Sequence, residues 1–503
     1  MVDPAPARPG MVWLVGAGPG DAGLLTVKGR NVLAAADLVL YDGLVNPDLL
    51  GIATGLCERT ARVLTDGDRR VDQASVNARL VEASRQGLSV CRLKGGDPYI
   101  FGRGSEEAAA LAAEGLPFEV VPGVTAATAC GAYAGFSLTH REIASAVALV
   151  TGHERPGKPQ SMLDYPALAA FPGTLVFYMG LHRLPGIAEQ LIAAGKSPLT
   201  PAAVVSRASL PSQVTVEATL SELPAAAAAA RLEPPSLIVI GECVNLRQTL
   251  DWFESRPLHG VRIAVCRAQH QAAAAAELIA GRGGVAVVQP LLTIDPPASW
   301  DAVDAAIDSL AAGDWVAVTS TNGVDFLMER LEFRDLDARV FGGVRIACVG
   351  PSTAGSLAAY GLRADLIPYE SSGSALATSL INQQPRRVWF FAADRASSSL
   401  EDGLTAAGVE VRRITTYRSR DVPKWDTSQP VDWIAVSSTA IAEAAARVAP
   451  PARCVAISES VATAAQAAGF TVDAVAADAS WDGMLDAIEA VLASERSRPS
   501  SEP

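Results

Sequence analysis

RLKGGDPYIFGRGSEE (Arg92–Glu107) reads as a buried strand that stops at Gly95-Gly96-Asp97-Pro98, passes through Phe101-Gly102-Arg103 and enters a helix. Paired glycines at a strand end permit close main-chain contact, and the adjacent Asp97 carboxylate is an acceptor for a ligand hydroxyl or amine. Two other stretches have the same strand, turn, helix grammar. GAGPGD (Gly16–Asp21) follows the apolar run Val12–Val15, and VPGVTAATA (Val121–Ala129) closes the run Phe118–Val121, with Thr125 placed to cap the next helix. In open α/β sheets the ligand lies beyond the carboxyl ends of the strands, so these turns are where chemistry is expected. A dinucleotide fingerprint needs glycine at 21, where Asp21 stands, which argues against a nicotinamide site.

Outward from these turns, short β-branched runs alternate with alanine-rich helical stretches to the end of the chain, the pattern of α/β units around largely parallel sheets. Further strands are expected at Leu38–Tyr41, Ser89–Leu93, Leu175–Tyr178, Leu237–Ile240 and Val261–Val265. The chain has 503 residues, which at ~100–200 residues per domain means several cores. Charged residues make up 19%, below the ~25% of an average soluble domain. The balance of 41 basic and 54 acidic residues gives −13, which argues against nucleic acid as a partner because phosphate needs a basic face. Seven cysteines lack any Cys-x-x-Cys pair, so neither a disulfide framework nor a metal site is signalled, and a cytoplasmic location is expected. No apolar run reaches the ~18 residues of a membrane span, so no membrane association is expected.

A boundary is expected near Asn245–Gly260. The second half repeats itself: DWVAVTSTNGVDFL pairs with DWIAVSSTAIAEAA, and VRIACVGPSTAGSLAAYG with ARCVAISESVATAAQAAG. Two similar lobes follow, with crossings at Pro290–Ile294 and Ile414–Tyr417. The tail from Ser494 reads as disordered.

Taken together, the first-half motifs resemble the uroporphyrinogen-III C-methyltransferases through LVGAGPGDAGLLTVKG, LVLYDGLV, RLKGGDPYIFGRGSEE, VVPGVTAATACGAYAGFSLTHRE, VTGH, TLVFYMG and PSLIVIG, all in family order. The resemblance implies a two-subdomain α/β methyltransferase over residues 11–250 that folds S-adenosylmethionine into the cleft between its subdomains. Carried over by position, the cofactor contacts are Pro19, Gly95, Gly96, Asp97, Ile100, Thr125, Ala126, Met179 and Ala208. Ile100 and Met179 supply apolar walls. Asp42 matches the family's proton acceptor, and desolvation there is expected to raise its pKa toward a useful base. Leu64 falls where the family carries a lysine proposed as proton donor, and Arg62, Arg69 and Arg70 are nearby sources of positive charge. Arg103 and Arg141 are the candidates for pairing substrate carboxylates, since the guanidinium fork suits that geometry. A homodimer through this half is implied as well.

Residues 260–495 resemble uroporphyrinogen-III synthase. The resemblance implies two lobes, 260–289 with 418–495 and 290–417, holding a tetrapyrrole substrate without a cofactor, and 1–10 and 496–503 are expected to be disordered tails. Thr319, Ser320, Ser352, Thr353, Ser437 and Ser438 stand at equivalent strand-to-helix turns, where N–H groups and the helix dipole favour carboxylates. Ordinary N-capping accounts for any one of them better than function does, and it is their clustering on equivalent turns that points to a ligand. Tyr417 matches the family's tyrosine near the lobe crossing, as a hydrogen-bond donor to the departing hydroxyl; a buried structural tyrosine is the alternative. The departures Phe391-Ala392-Ala393-Asp394-Arg395 and Ser458-Glu459-Ser460-Val461 alter two of the family's turns.

The reading is a fused enzyme that closes hydroxymethylbilane to uroporphyrinogen III and methylates it twice to precorrin-2. Two rivals stay open: a later precorrin methyltransferase, and a methyltransferase controlled by a non-catalytic tetrapyrrole-sensing second half. The net charge then implies locally basic mouths for polyanionic ligands.

Overall fold

Strand β1 (Val12–Gly16) lies between β6 (Val90–Lys94) and β7 (Phe118–Val121) in a computed structural model that describes residues 9–60, 62–65, 68–152, 163–267, 269–422 and 424–497. The chain divides into two units: Met1–Val261 with Ala280–Val285, and Arg262–Ile279 with Ala286–Pro503.

The first unit contains two five-stranded sheets. In one, β2 (Leu38–Tyr41) and β3 (Leu56–Arg59) complete the order β3-β2-β6-β1-β7, and every pairing is parallel. Every residue of β6 is buried, as a central strand covered on both faces requires. Leu14, Leu40, Leu80 and Leu111 fill one face, and Val15, Leu33, Val39 and Leu93 the other. A hairpin of β4 (Arg62–Thr65) and β5 (Asp68–Val71) follows β3. Arg62, Leu64, Arg69 and Arg70 lie on its backbone, and their side chains are outside the described residues.

The second sheet departs from the parallel expectation. Its order is β11 (Val214–Thr219), β10 (Pro201–Ser206), β12 (Ser236–Ile240), β9 (Thr174–Tyr178), β8 (Val147–Thr151). Only β8 and β9 run parallel; β9–β12, β12–β10 and β10–β11 are antiparallel. Residues 207–213 join β10 to β11 and are too few for a helical crossover, so this pair reverses direction.

The second unit also has two sheets. One is β14 (Val285–Val288), β13 (Arg262–Val265), β20 (Trp433–Val436), β21 (Arg453–Ala456), β22 (Val472–Val475). The other is β15 (Leu292–Asp295), β19 (Glu410–Asp421), β18 (Arg387–Ala393), β16 (Trp315–Val318), β17 (Arg345–Cys348), in which β15 alone pairs antiparallel. The register of β18 against β19 shifts between Ala392 and Ala393, which brings Tyr417 opposite Ala393.

The expected C-terminal tail is corrected at its start: Trp481–Arg496 is one helix, capped by Ser480 and carrying buried Met484, Leu485 and Ile488, so Ser494 is helical, and residues 1–8 and 498–503 lie outside the described residues. Gly10 is likewise fixed, through bonds with Ser84. Among the described residues no helix is long and apolar enough to cross a membrane.

Candidate active site

The three glycine turns of the first unit meet at one point. An added Cβ on Gly16 would overlap Gly123 Cα and Gly96 O, and one on Gly123 would overlap Gly96 O and Gly16 Cα. Only glycine permits backbones to approach this closely. Gly96 N–H donates to Gly18 O at 2.7 Å, and Gly18 N–H to Gly96 O at 3.3 Å. Asp97 ties the remaining turn: Oδ1 accepts from Tyr99 N–H at 2.8 Å and Oδ2 from Gly123 N–H at 3.1 Å. Its carboxylate, expected as a ligand acceptor, thus already serves two backbone donors.

Thr125 was expected to cap its helix with its side chain, and here the structure differs. Thr125 makes no side-chain cap bond; its Oγ1 lies 2.7 Å from Tyr178 Oη, which accepts from Ala127 N–H at 2.9 Å. A tyrosine from β9 of the second sheet therefore caps a helix that follows β7 of the first. Burial raises the Tyr178 phenol above its usual range, against the bond from Thr125. Phe101 packs on Tyr178 with ring centroids 4.9 Å apart. Phe101, Arg103, Met179, Arg207 and Ser209 all have left-handed backbones without being glycine. Such strain concentrates where geometry serves a site.

Pro19 sits in the loop that Ser209 grips: Ser209 Oγ accepts from Asp21 N–H at 3.1 Å, and Tyr133 Oη donates to Asp21 Oδ2 at 2.6 Å. Ala126 and Ala208 pack against the same second-sheet core as Tyr178. Ile100 and Met179 are 37% and 53% exposed, side chains of apolar type left open beside these turns. Gly95 faces Leu44, itself largely exposed. The nine residues expected at the cofactor lie on the turns that follow β1, β6, β7, β9 and β10.

Asp42 corrects a second expectation, because its carboxylate is not an isolated, desolvated acid. Oδ1 accepts from Arg92 Nη2 at 2.6 Å and from Thr60 Oγ1 at 3.1 Å, and Lys94 Nζ lies 3.8 Å from Oδ2. Behind it, Arg92 Nε donates to Glu107 Oε1 at 3.0 Å and Lys94 Nζ to the same oxygen at 2.9 Å. Arg92, Lys94 and Glu107 are 1%, 2% and 0% exposed. Burial, reinforced by the Arg92 charge, pulls the Lys94 ammonium below its usual range, while Glu107 and Asp42 oppose. Sequence reasoning passed over these three residues although all stand in the stretch that decided the fold. The signal was there: Arg92 and Lys94 are two apart on a strand otherwise apolar, so both point to one face.

Of the substrate candidates, Arg103 is engaged with Glu106 in a two-pronged pair at 2.7–2.8 Å. Arg141 is exposed and has no ion-pair partner among the described residues. His153 of the VTGH stretch lies outside the described residues.

In the second unit, Ser320 and Ser438 are N-caps, accepting from Gly323 N–H at 3.0 Å and Ile441 N–H at 3.3 Å. Thr319 is half-buried beside Ser320. Ser437 accepts from Arg267 Nε at 3.2 Å. Arg267 went unremarked in the sequence, yet burial lowers its pKa. The turn after β17 corrects the expectation for Thr353: Gly350 is the cap and Pro351 opens the helix, so Ser352 is exposed while Thr353 turns inward and is 4% exposed. Tyr417 is 6% exposed, donates to Ser320 Oγ at 3.0 Å and stacks on Phe326. Its hydroxyl is already committed to a helix cap.

The model of the tetrapyrrole (corrin/porphyrin) methylases matches residues 11–224, and that of uroporphyrinogen-III synthase HemD matches residues 273–486. Porphyrin biosynthesis protein HemD of Ruminiclostridium josui is 34% identical over 412 residues, 82% of either chain. Siroheme synthase of Ectopseudomonas mendocina is 50% identical over 254 residues, 50% of this chain and 54% of that one, so the chain spans about half the length of that relative. Among solved structures, uroporphyrin-III C-methyltransferase from Thermus thermophilus complexed with S-adenyl homocysteine is 40% identical, covers 47% of this chain and 100% of its own, and has a TM-score of 0.41. A mutant uroporphyrinogen III synthase from the same extremely thermophilic species is 18% identical, with 47% and 100% covered and a TM-score of 0.36. The chain belongs to the family of porphyrin biosynthesis protein HemD, with a tetrapyrrole methylase segment followed by a uroporphyrinogen-III synthase segment.

Proposed function

We propose that the first unit methylates uroporphyrinogen III twice to precorrin-2 and that the second makes uroporphyrinogen III from hydroxymethylbilane. The observation that carries the first assignment is the Asp42 carboxylate, partly exposed and pinned by Arg92, beside glycine turns that leave backbone polar groups and apolar walls open to a ligand.

These turns fit S-adenosylmethionine. Gly95 and Gly96 have room beside their Cα atoms, Ile100 and Met179 offer apolar surface, and the helix that begins at Ala126 offers N–H groups. When bound, the cofactor supplies an electrophilic methyl group. Pro19, Ala126 and Ala208 would bound its polar and adenine ends, with Thr125 and Asp97 holding the loops around it. Positioning of the two reactants is worth an effective molarity of ~10⁵–10⁸ M, so cleft shape outweighs any nucleophile. Asp42 then takes the proton that the macrocycle loses: its side chain is partly exposed, with Arg92 fixing Oδ1 and Lys94 3.8 Å from Oδ2. Arg141 is the proposed partner for a substrate carboxylate, and Arg103 shapes the turn through Glu106. A dimer through the first unit is the proposed assembly, and the cytoplasm the proposed location.

In the second unit, the capped turns after β16 and β20 present N–H groups to acetate and propionate, with Ser437 and Arg267 at one of them. One observation favours a second reading, a non-catalytic sensing unit: Tyr417 is buried and bonded to Ser320.

Incubating the full chain with uroporphyrinogen III and methyl-labelled S-adenosylmethionine tests the first assignment, and failure to form a dimethylated product rejects it. Supplying hydroxymethylbilane tests the second. Accumulation of the type I isomer alone, at the spontaneous rate, would leave the sensing reading.

A further inference from the structure

Four acidic and basic side chains from three parts of the fold meet in one cluster: Asp42 after β2, Arg92 and Lys94 on β6, and Glu107 in the first turn of the helix Gly104–Ala113. Only Asp42 reaches solvent, at 26% side-chain exposure against 0–3% for the others. Replacing a buried ionic cluster by apolar residues is commonly neutral or stabilising, so stability alone gives no reason to keep three buried charges here. Glu107 sharpens the point. Its Oε1 receives Arg92 Nε, Lys94 Nζ and Gln73 Nε2 at 2.9–3.0 Å, while its Oε2 is buried and has no hydrogen-bond partner among the described residues. An amide at this position would keep an acceptor oxygen without the negative charge, so the charge is what the carboxylate adds beside Arg92 and Lys94.

We propose that Lys94 and Glu107 are positioning residues that set the charge facing Asp42, and thereby how readily Asp42 accepts the substrate proton. Asp42 faces two cations on β6. Glu107 offsets one of them, so the Asp42 carboxylate faces a net single positive charge. The other groups near Asp42 are Thr60, which donates to Oδ1, and Arg59, whose guanidinium lies over Gly43; Glu58 is turned away in a pair with Arg79. The side chains of 62–65 and 68–71 on the adjoining hairpin are outside the described residues. Lys94 also gives this chain a buried ammonium 3.8 Å from Asp42, where the stretch around Leu64 carries no lysine.

The inference rests on Asp42 being the proton acceptor, and the test separates the two. In the full chain, the pH dependence of kcat/KM for uroporphyrinogen III is compared among wild type, Asp42→Asn, Lys94→Met, Lys94→Arg and Glu107→Gln, with S-adenosylhomocysteine binding as the check of folding. Lys94→Met leaves Asp42 with Arg92 opposed by Glu107, so its acidic limb moves to higher pH. Glu107→Gln leaves Asp42 facing two cations, so its limb moves to lower pH and the plateau rate falls with the weaker base. Each shift is expected to be about one pH unit, and the two have opposite signs. Lys94→Arg keeps the charge, so its acidic limb is expected to lie closer to the wild-type position than that of Lys94→Met. If Lys94→Met does not fold, Lys94→Gln, which retains a donor to Glu107, carries the same expected sign. Shifts of equal sign, or none, overturn the inference while Asp42→Asn is inactive. An Asp42→Asn enzyme of wild-type rate overturns the acceptor reading itself, and the inference with it.

Discussion

Tyr178 Oη and Thr125 Oγ1 stand 2.7 Å apart, and the same phenol oxygen accepts from Ala127 N–H at 2.9 Å, so one hydroxyl from the second sheet closes the helix that the first sheet launches. That oxygen ties the two sheets of the first unit together, alongside the bond from Asp21 N–H to Ser209 Oγ and the packing of Phe101 on the Tyr178 ring. Tyr178→Phe removes that atom and leaves Ala127 N–H buried without its acceptor. The expected cost is about 1–3 kcal/mol of stability for the orphaned donor. S-adenosylhomocysteine affinity should fall roughly tenfold, which is about 1.4 kcal/mol. Urea unfolding and titration calorimetry read the two effects; unchanged affinity in a folded variant removes Tyr178 from the site.

Gly123 and Gly51 make a matched pair. A Cβ on Gly123 would meet the main chain of Gly16 and Gly96, whereas one on Gly51 meets nothing within 4 Å. Gly123→Ala must push two turns apart and is expected to destabilise by at least ~1–3 kcal/mol and abolish cofactor binding. Gly51→Ala should fall within ~0.5 kcal/mol of wild type and keep full activity. Soluble yield, thermal melting and cofactor titration of both variants check this.

Those glycine turns were legible because glycine, proline and aspartate mark main-chain geometry locally. Strands such as Leu38–Tyr41 and Phe118–Val121 were legible for a similar reason, a short apolar run ended by a turn residue. Pairing direction was not, since whether β10 meets its neighbours parallel or antiparallel depends on the connection and not on the strand's own residues. The Asp42 cluster escaped for the same reason at the side-chain level. Arg92 and Lys94 looked like polar interruptions of a strand until Glu107 and Asp42, which stand 15 and 50 positions from Arg92, closed around them. Thr125 and Tyr178 likewise are 53 positions apart, and a local cap was the simpler inference.

Asp314 gives a pH-dependent contribution to the second unit. Burial opposes its ionisation, but Arg387 Nη2 at 2.7 Å, Trp389 Nε1 at 2.9 Å and Ala311 N–H at 3.1 Å outweigh burial and hold the carboxyl below its usual range. A depressed folded value means that the stabilisation is complete above the unfolded carboxylate's pKa of ~3.9 and disappears as pH falls through the folded value. Asp314→Asn should therefore cost about 1–3 kcal/mol at pH ~7 and less at pH ~3, below the unfolded carboxylate's pKa of ~3.9. Denaturant melts of the full chain at both pH values test it, and a deficit that persists in acid contradicts the ionic account.

Tyr417 separates cap from catalyst in the second unit. Its phenol donates to Ser320 Oγ, which in turn accepts from Gly323 N–H, so the tyrosine supports the cap of the helix Thr321–Phe333. Burial pushes the phenol above its ordinary range, against the bonds with Ser320 and Asn322, so it remains a neutral donor past the usual pKa of ~10. No alkaline loss of synthase activity below that pH should then arise from Tyr417. If the phenol assists departure of the substrate hydroxyl, it must release Ser320 to do so. Tyr417→Phe should then slow type III isomer formation by about 10²-fold, in line with the loss of one general acid, and let spontaneous type I closure compete. Ser320→Ala removes the rival acceptor at a cost of about 1 kcal/mol for the lost cap and should keep the isomer ratio near that of wild type. Chromatographic isomer analysis distinguishes the roles, because a purely structural tyrosine makes both variants lose stability and neither change the isomer ratio.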